Sequence, residues 1–419
     1  MSGVILLLIV MALLVLRQSI IVILFVATAY VHMVYGDGVI EYLIDDLWTS
    51  INREVLLAIP MFVLAGSIMT RGSIAERLIA IMRALTQWLP GGLAVATILS
   101  CAVFAALSGS SPVTLLAVGA ILYPALLENG YDRKFALGAL TSGGTLGVVI
   151  PPSIPMILYD IVTENSISDL FLAGIIPGIL LTIALGSYSL IRNRHMPSLP
   201  FDMPLLITTL KRGIFALMTP VILLGGIYTG YFSATEAAAV AVGYAMLVEV
   251  FIHRELKLQD FYGIAVETSK LFGALFPIVA IALSINLLLT TERVPQDLAE
   301  WMTSTVSDKF LFMLLLNVFL LLIGCLIDIG AAILMLAPIL LPVGMAYGVD
   351  PIHFGIIMVV NLEIGFLTPP IGLNLIVAMT AFKENFVLIC RSVLPFIAIM
   401  ICVLALVVWI PELSLFLIR

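Results

Sequence analysis

The chain reads as an all-α polytopic membrane protein assembled from one unit used twice, and three observations carry that reading. First, 62% of its 419 residues are hydrophobic and only 11% are charged, where a water-soluble domain carries about 25% charged residues; mean hydropathy is +1.21. Second, the apolar residues form long continuous runs. A transmembrane barrel would show segments of roughly 10 residues with alternating polarity instead. Third, Pro124 and Pro342 stand 218 positions apart, and the same offset carries Gly130 onto Gly348, Asp132 onto Asp350, Gly147 onto Gly365 and Pro151-Pro152 onto Pro369-Pro370. Matched Gly, Pro and Asp at one offset indicate an internal duplication. Duplicated membrane units with helix-breaking segments at corresponding places point to a transporter whose site lies between the repeats.

Apolar runs fall near 4–16, 19–35, 55–69, 93–107, 113–127, 136–159, 170–191, 214–230, 234–252, 270–290, 310–327, 331–347, 353–367, 371–382 and 386–410. The run from Val4 to Leu16 lacks the basic start and the cleavage context of a signal peptide, so it is assigned as a membrane helix. Asp37, Glu41, Asp45 and Asp46 make the next loop acidic. Around Arg71 to Arg83, Ile74, Leu78, Ile79 and Ile81 stand beside Arg71, Glu76, Arg77 and Arg83, which predicts an amphipathic segment that lies along the interface or forms a connecting arm. Runs 93–107 and 113–127 are short for a bilayer crossing of about 20 residues. They predict a re-entrant hairpin with its tip at Ser108-Gly-Ser-Ser-Pro112. The second hairpin is predicted over 310–347 with its tip at Asp328–Gly330. Counting hairpins and broken helices as single features leaves about eleven crossings. Between the halves, the stretch from Ile191 to Gly213 carries Arg192, Arg194, Lys211 and Arg212 against Asp202, which predicts a cytoplasmic loop.

The composition also excludes. A net charge of −7 distributed over loops says little about nucleic acid and gives no polybasic lipid patch. Cys101, Cys325, Cys390 and Cys402 lie in apolar runs without a CxxC pair, and the four His are scattered, so neither a disulfide nor a transition-metal site is predicted. No phosphate-binding GxxxxGK[ST], GxSxG or HExxH motif is present, and the chain does not read as an enzyme. Without a nucleotide motif, energy must come from an ion gradient or a partner.

Polar residues that break membrane helices concentrate in four places. Ser108, Ser110, Ser111 and Thr114 at the first tip are answered by Ser142, Gly144, Thr145, Gly147, Pro152 and Ser153 at a break in the following run. Asp328, Gly330 and Ala331 at the second tip are answered by Gly365, Thr368, Gly372 and Asn374. Hydroxyls, amides and carbonyls freed from helical bonding are oxygen ligands for a small hard cation. Small residues that merely allow close helix packing would not require Pro-Pro beside each Gly-rich break. Asp328 is a carboxylate at membrane depth, a functional signal by default, and its side chain can also cap the returning helix. Glu363 is positioned to orient the second break, and Glu236 to start a helix.

The segments Ile59-Pro-Met-Phe-Val-Leu-Ala-Gly66, Leu89-Pro-Gly-Gly-Leu93, Ser108-Gly-Ser-Ser111, Gly144-Thr-Leu-Gly-Val-Val-Ile-Pro-Pro-Ser-Ile-Pro155, Asp169-Leu-Phe-Leu-Ala-Gly174, Thr235-Glu-Ala-Ala-Ala-Val240 and Leu367-Thr-Pro-Pro-Ile-Gly-Leu-Asn374 together resemble the large membrane subunit (M subunit) of tripartite ATP-independent periplasmic (TRAP) transporters. The similarity runs from about residue 55 to the C-terminus. Pro112-Val113 departs from the small residues the family more often has after the tip. The resemblance implies an ion-transporter-type elevator fold with inverted repeats in the bacterial inner membrane. Its parts would be scaffold helices and arm over 1–87, a first transport half over 88–170, scaffold and central loop over 171–305, a second transport half over 306–385, and a C-terminal helix over 386–419. It implies no organic cofactor and two coupling sodium ions: site 1 at Ser110, Ser111, Gly144, Thr145, Gly147 and Pro152, site 2 at Gly330, Ala331, Gly365, Thr368, Gly372 and Asn374. Ser108, Ser153 and Asp328 would face an organic acid of the sialic acid or C4-dicarboxylate type. A small four-helix membrane subunit (Q type) and a periplasmic substrate-binding protein (P type) would be its partners.

Two other classes fit the sequence less well. A channel would repeat a filter motif by oligomerisation. A membrane scaffold protein would have no use for two matched polar breaks.

Overall fold

Caps and breakers divide the apolar sequence into helices, and the computed structural model, which describes residues 2–35 and 40–419, shows no strand among them. Asp37 of the acidic loop lies outside the described residues. Helices α1 (Ser2–Val15) and α2 (Ile20–Tyr35) are apolar on all sides, as helices in lipid are. Helix α3 (Ile40–Ile51) is amphipathic, and its Asp46 approaches the buried His32 of α2 at 4.0 Å. After α4 (Ala58–Arg71), the predicted arm appears as α5 (Ile74–Thr86), with Ile74, Leu78, Ile79 and Ile81 buried. Its free N-terminal N–H groups are satisfied from far away in sequence: the Glu249 carboxylate accepts from Ser73 at 2.9 Å and from Ile74 at 2.8 Å.

The first repeat contains α6 (Gly92–Ser108), α7 (Ser111–Glu128), α8 (Arg133–Gly144), the turn α9 (Leu146–Val149) and α10 (Ile154–Thr163). Helix α11 (Ile167–Arg192), α12 (Met203–Tyr228), α13 (Ala234–Leu247) with a π-helical end at Val248–Ile252, α14 (Leu258–Thr291) and α15 (Val294–Thr305) follow. The second repeat contains α16 (Lys309–Gly324), α17 (Ile329–Ala346), α18 (Pro351–Phe366) and α19 (Leu373–Phe382), and the chain ends in α20 (Phe386–Trp409) and α21 (Glu412–Leu415). The 218-residue offset carries α7 onto α17 from end to end. Asp132 and Asp350, also matched, cap α8 and α18 through side-chain bonds. Gly130 and Gly348 both take the left-handed backbone, φ 79° and 71°, at the turn before those helices; a side chain there would be strained.

Two helices begin earlier than their apolar runs. α12 starts at Met203 and not near 214, so Lys211 and Arg212 are helical, and the basic loop shrinks to the residues between Arg192 and Met203. α14 starts at Leu258 and not near 270, because its first turns carry Asp260, Glu267 and Lys270 on a polar surface. Glu236 does start a helix: Ser233 and Glu236 form a reciprocal capping box on α13. Among the described residues, nine helical stretches are long and apolar enough to span a membrane, with six shorter apolar helices beside them.

Contacts between helix ends give the orientation of the repeats. α11 has 26 residues, about 39 Å at about 1.5 Å each, enough to cross the bilayer. Arg192 at its basic end lies 4.0 Å from Asp132, which starts α8, and Leu199 N–H donates to Gln87 O at 3.0 Å. The Glu384 carboxylate after α19 accepts from Tyr123 at 2.5 Å and from Arg133 Nε at 2.7 Å. The first hairpin, α6–α7, therefore enters from the basic face, and the second broken helix ends there. At the other face Tyr159 donates to Pro351 O at 2.8 Å, Arg419 pairs with Asp350 at 2.8 Å and Lys309 reaches Gly348 O at 3.2 Å. The second hairpin, α16–α17, thus enters from the face opposite the first, and the repeats are inverted.

Candidate functional site

The two tips converge. Gly109, Ser110, Ser111 and Pro112 from the first and Asp328, Ile329 and Gly330 from the second line a single cavity of about 220 Å³. Since the hairpins enter from opposite faces and share a cavity, neither completes a crossing. Ile59 and Val63 of α4 and Phe272 and Leu275 of α14 close the other side with apolar surface. One wall is thus built from the repeats and the other from helices outside them.

Each tip is tied to its own break. Ile154 N–H, at the restart after Pro151-Pro152, donates to Gly109 O at 3.2 Å, and in the second repeat Gly372 N–H donates to Cys325 O at 3.3 Å. The Pro151–Pro152 and Pro369–Pro370 bonds are both cis. Glycine permits the approach. A Cβ on Gly147 would stand 2.5 Å from Ser110 O and 2.6 Å from Thr114 Oγ1, and one on Gly365 would stand 2.6 Å from Gly324 Cα. A Cβ on Gly144 would meet the Leu115 side chain at 2.8 Å, and one on Gly109 would meet Pro152 O at 2.8 Å.

Hydroxyls at the two breaks keep accepting capacity. Thr145 Oγ1 donates backward to Ser142 O at 2.5 Å, which leaves its lone pairs free to accept. In the second pair Thr368 Oγ1 donates to Ile364 O at 2.8 Å, with the same consequence. Asp328 caps α17, accepting from Gly330 at 2.9 Å and from Ala331 at 3.3 Å, and its carboxylate lines the cavity. The other two residues expected to face a substrate stand behind the lining. Ser108 is fully buried, its hydroxyl bonded to Thr114 Oγ1 at 2.6 Å, and Ser153 is fully buried and caps α10 by accepting from Met156 N at 3.4 Å.

Asn374 departs from the expected grouping. Its amide donates to Ser111 Oγ at 2.5 Å and to Thr141 O at 3.5 Å, both in the first repeat. A residue of the second break thereby locks onto the first tip. The breaks also differ in exposure: Pro151, Pro152 and Ser153 are buried, whereas Pro369, Pro370 and Ile371 are exposed.

Four participants gave little signal in the sequence. Phe272 and Leu275 sit in an apolar run with nothing to distinguish them. Arg53 donates to Ile161 O of α10 at 2.9 Å and lies 3.8 Å from Glu164. Asn286 of α14 donates to Leu334 O of α17 at 2.9 Å. That carbonyl is available because the residue four positions on is Pro338, which has no N–H to bond it. A lone amide inside an apolar run and a proline in a facing helix were the signals available.

The family described as "Tripartite ATP-independent periplasmic transporter, DctM component" matches residues 7–413. The chain is 40% identical over 386 residues to the C4-dicarboxylate TRAP transporter large permease protein DctM of Pseudomonas aeruginosa, covering 91% of this chain and 90% of that one. It is 39% identical to the isethionate TRAP transporter permease protein DctMQ of Oleidesulfovibrio alaskensis, covering 91% of this chain and 61% of that longer protein. In three dimensions it is similar to the YdaH transporter of Alcanivorax borkumensis, with a TM-score of 0.59 over 90% of each chain at 16% identity; that similarity speaks to the fold.

Proposed function

The chain belongs to the DctM component family of tripartite ATP-independent periplasmic transporters, and from that premise we propose that it imports a small organic anion by sodium symport across the bacterial inner membrane. The single observation that carries the proposal is the cavity shared by two tips of opposite entry, each bonded to its own helix break. Sodium at Ser110, Ser111, Gly144, Thr145, Gly147 and Pro152 ties the first tip to its break; a second ion at Gly330, Ala331, Gly365, Thr368 and Gly372 ties the other. These charges offset the Asp328 carboxylate. An anionic substrate in the cavity then meets positive potential, where otherwise it would meet a bare like charge. The repeats move as one body against α4 and α14, carrying the cavity between faces. The basic face is the cytoplasmic one.

A volume of about 220 Å³ lies below the roughly 300–1,000 Å³ of drug-sized ligand pockets. It favours a compact acid of the C4-dicarboxylate class over a bulky sugar acid such as sialic acid. A periplasmic binding protein delivers the substrate, and a small membrane subunit completes the complex.

The test is uptake into proteoliposomes by the complex with its binding protein, across a panel of dicarboxylates, sulfonates and sialic acid. An inward sodium gradient is expected to drive accumulation of a compact acid. Equal accumulation on a proton gradient with no sodium present contradicts the proposal.

A further inference from the structure

Among the described residues, two buried carboxylates are held by hydrogen-bond donors. Glu249 accepts from two backbone N–H groups and Glu384 from Tyr123 and Arg133. Glu363 of α18 is fully buried, and both its carboxylate oxygens lack a hydrogen-bond partner. No ion pair among the described residues includes it. An isolated charge in such surroundings is strongly unfavourable unless a counter-charge joins it.

Ser111 connects it to a group of buried oxygens. The Ser111 hydroxyl is the polar neighbour of the carboxylate. Asn374 binds Ser111 Oγ and Thr141 O through its amide nitrogen, which leaves Asn374 Oδ1 buried and unpartnered; Thr141 Oγ1 is buried and unpartnered too. Oxygen-only donors suit a hard cation. Ser111 also borders the cavity between the tips.

We infer that Glu363, Ser111, Asn374 and Thr141 form a third sodium site in the seam between the repeats. The inference rests on the proposed sodium coupling but concerns a different ion, which shares Ser111 with the site proposed at the first tip. Here the ion supplies the counter-charge for Glu363 and holds the first tip against the second break, where Asn374 already crosses between repeats. The other two ions each join a tip to the break of its own repeat.

The experiment is equilibrium binding of radioactive sodium to the membrane complex in nanodiscs, at constant ionic strength made up with choline. Wild type is expected to bind three ions per chain and Glu363→Gln two, with a smaller sodium-dependent rise in melting temperature. Thr141→Val, which removes one oxygen at nearly constant shape, is expected to weaken one class of ion about tenfold. Two ions in wild type overturn the third site and leave the two-ion reading standing. Equal stoichiometry in wild type and Glu363→Gln also overturns it. No bound sodium in wild type overturns both. If Glu363→Gln does not fold, the wild-type count and Thr141→Val decide.

Discussion

Replacing Gly365 with alanine is expected to lower uptake by about 100-fold, the scale of loss when a binding constellation is displaced by about 1 Å. The added Cβ would stand 2.6 Å from both Gly324 Cα and Gly324 C and 3.0 Å from Cys325 N. All three are backbone atoms, so no side chain can turn away. The end of α16 must move off the end of α18, which separates the second tip from its break. Overpacking of this kind costs about 1–3 kcal/mol, small enough for the protein to remain in the membrane. Gly225→Ala serves as the control, because nothing lies within 4 Å of the position its Cβ would take. Uptake assays on membranes matched for protein content decide the matter. Wild-type uptake by Gly365→Ala would show that the tip and break need not touch.

The second large effect is expected at Asn286. Its amide is the donor the structure provides for Leu334 O, a carbonyl orphaned by Pro338. Asn286→Ala leaves that carbonyl buried and unpaired, at about 1–3 kcal/mol. If α14 is the static wall and α17 moves, the cost falls on the described position of the transport body and shifts its population about tenfold for each 1.4 kcal/mol. Pro338→Ala restores an N–H to the helix, so Asn286→Ala should cost less in that background. Spin-label distance distributions between α14 and α17 in the four proteins of this cycle measure the coupling. A single unchanged distance throughout would remove Asn286 as a stop.

The architecture was largely legible because membrane helices announce themselves by composition, and because a duplication leaves Pro, Gly and Asp at a fixed spacing. The same offset that matched Pro124 with Pro342 placed α7 on α17 without slippage. Helix starts were less legible where the first turns are polar, as at Leu258 and Met203, since an apolar run marks where a helix meets lipid and not where it begins. At the site, the tips and breaks were visible as breaker clusters, and Asp328 as a charge at depth. The partner of Asn374 was not visible: its place in the second break suggested the second tip, but inverted repeats cross, and its amide bonds Ser111 of the first tip. The retreat of Ser108 and Ser153 behind the cavity wall likewise depends on rotamer and packing, which residue type does not reveal.

The central claim is that cations at the tip–break pairs create the anion site, and reciprocal binding tests it most directly. Affinity of the membrane complex for a radiolabelled C4-dicarboxylate is measured in nanodiscs as sodium replaces choline, and sodium affinity is measured with and without the acid. Linkage requires both affinities to rise by the same factor, and the Asp328 carboxylate at the shared cavity predicts that they do. Substrate affinity unchanged between choline and sodium would contradict the account.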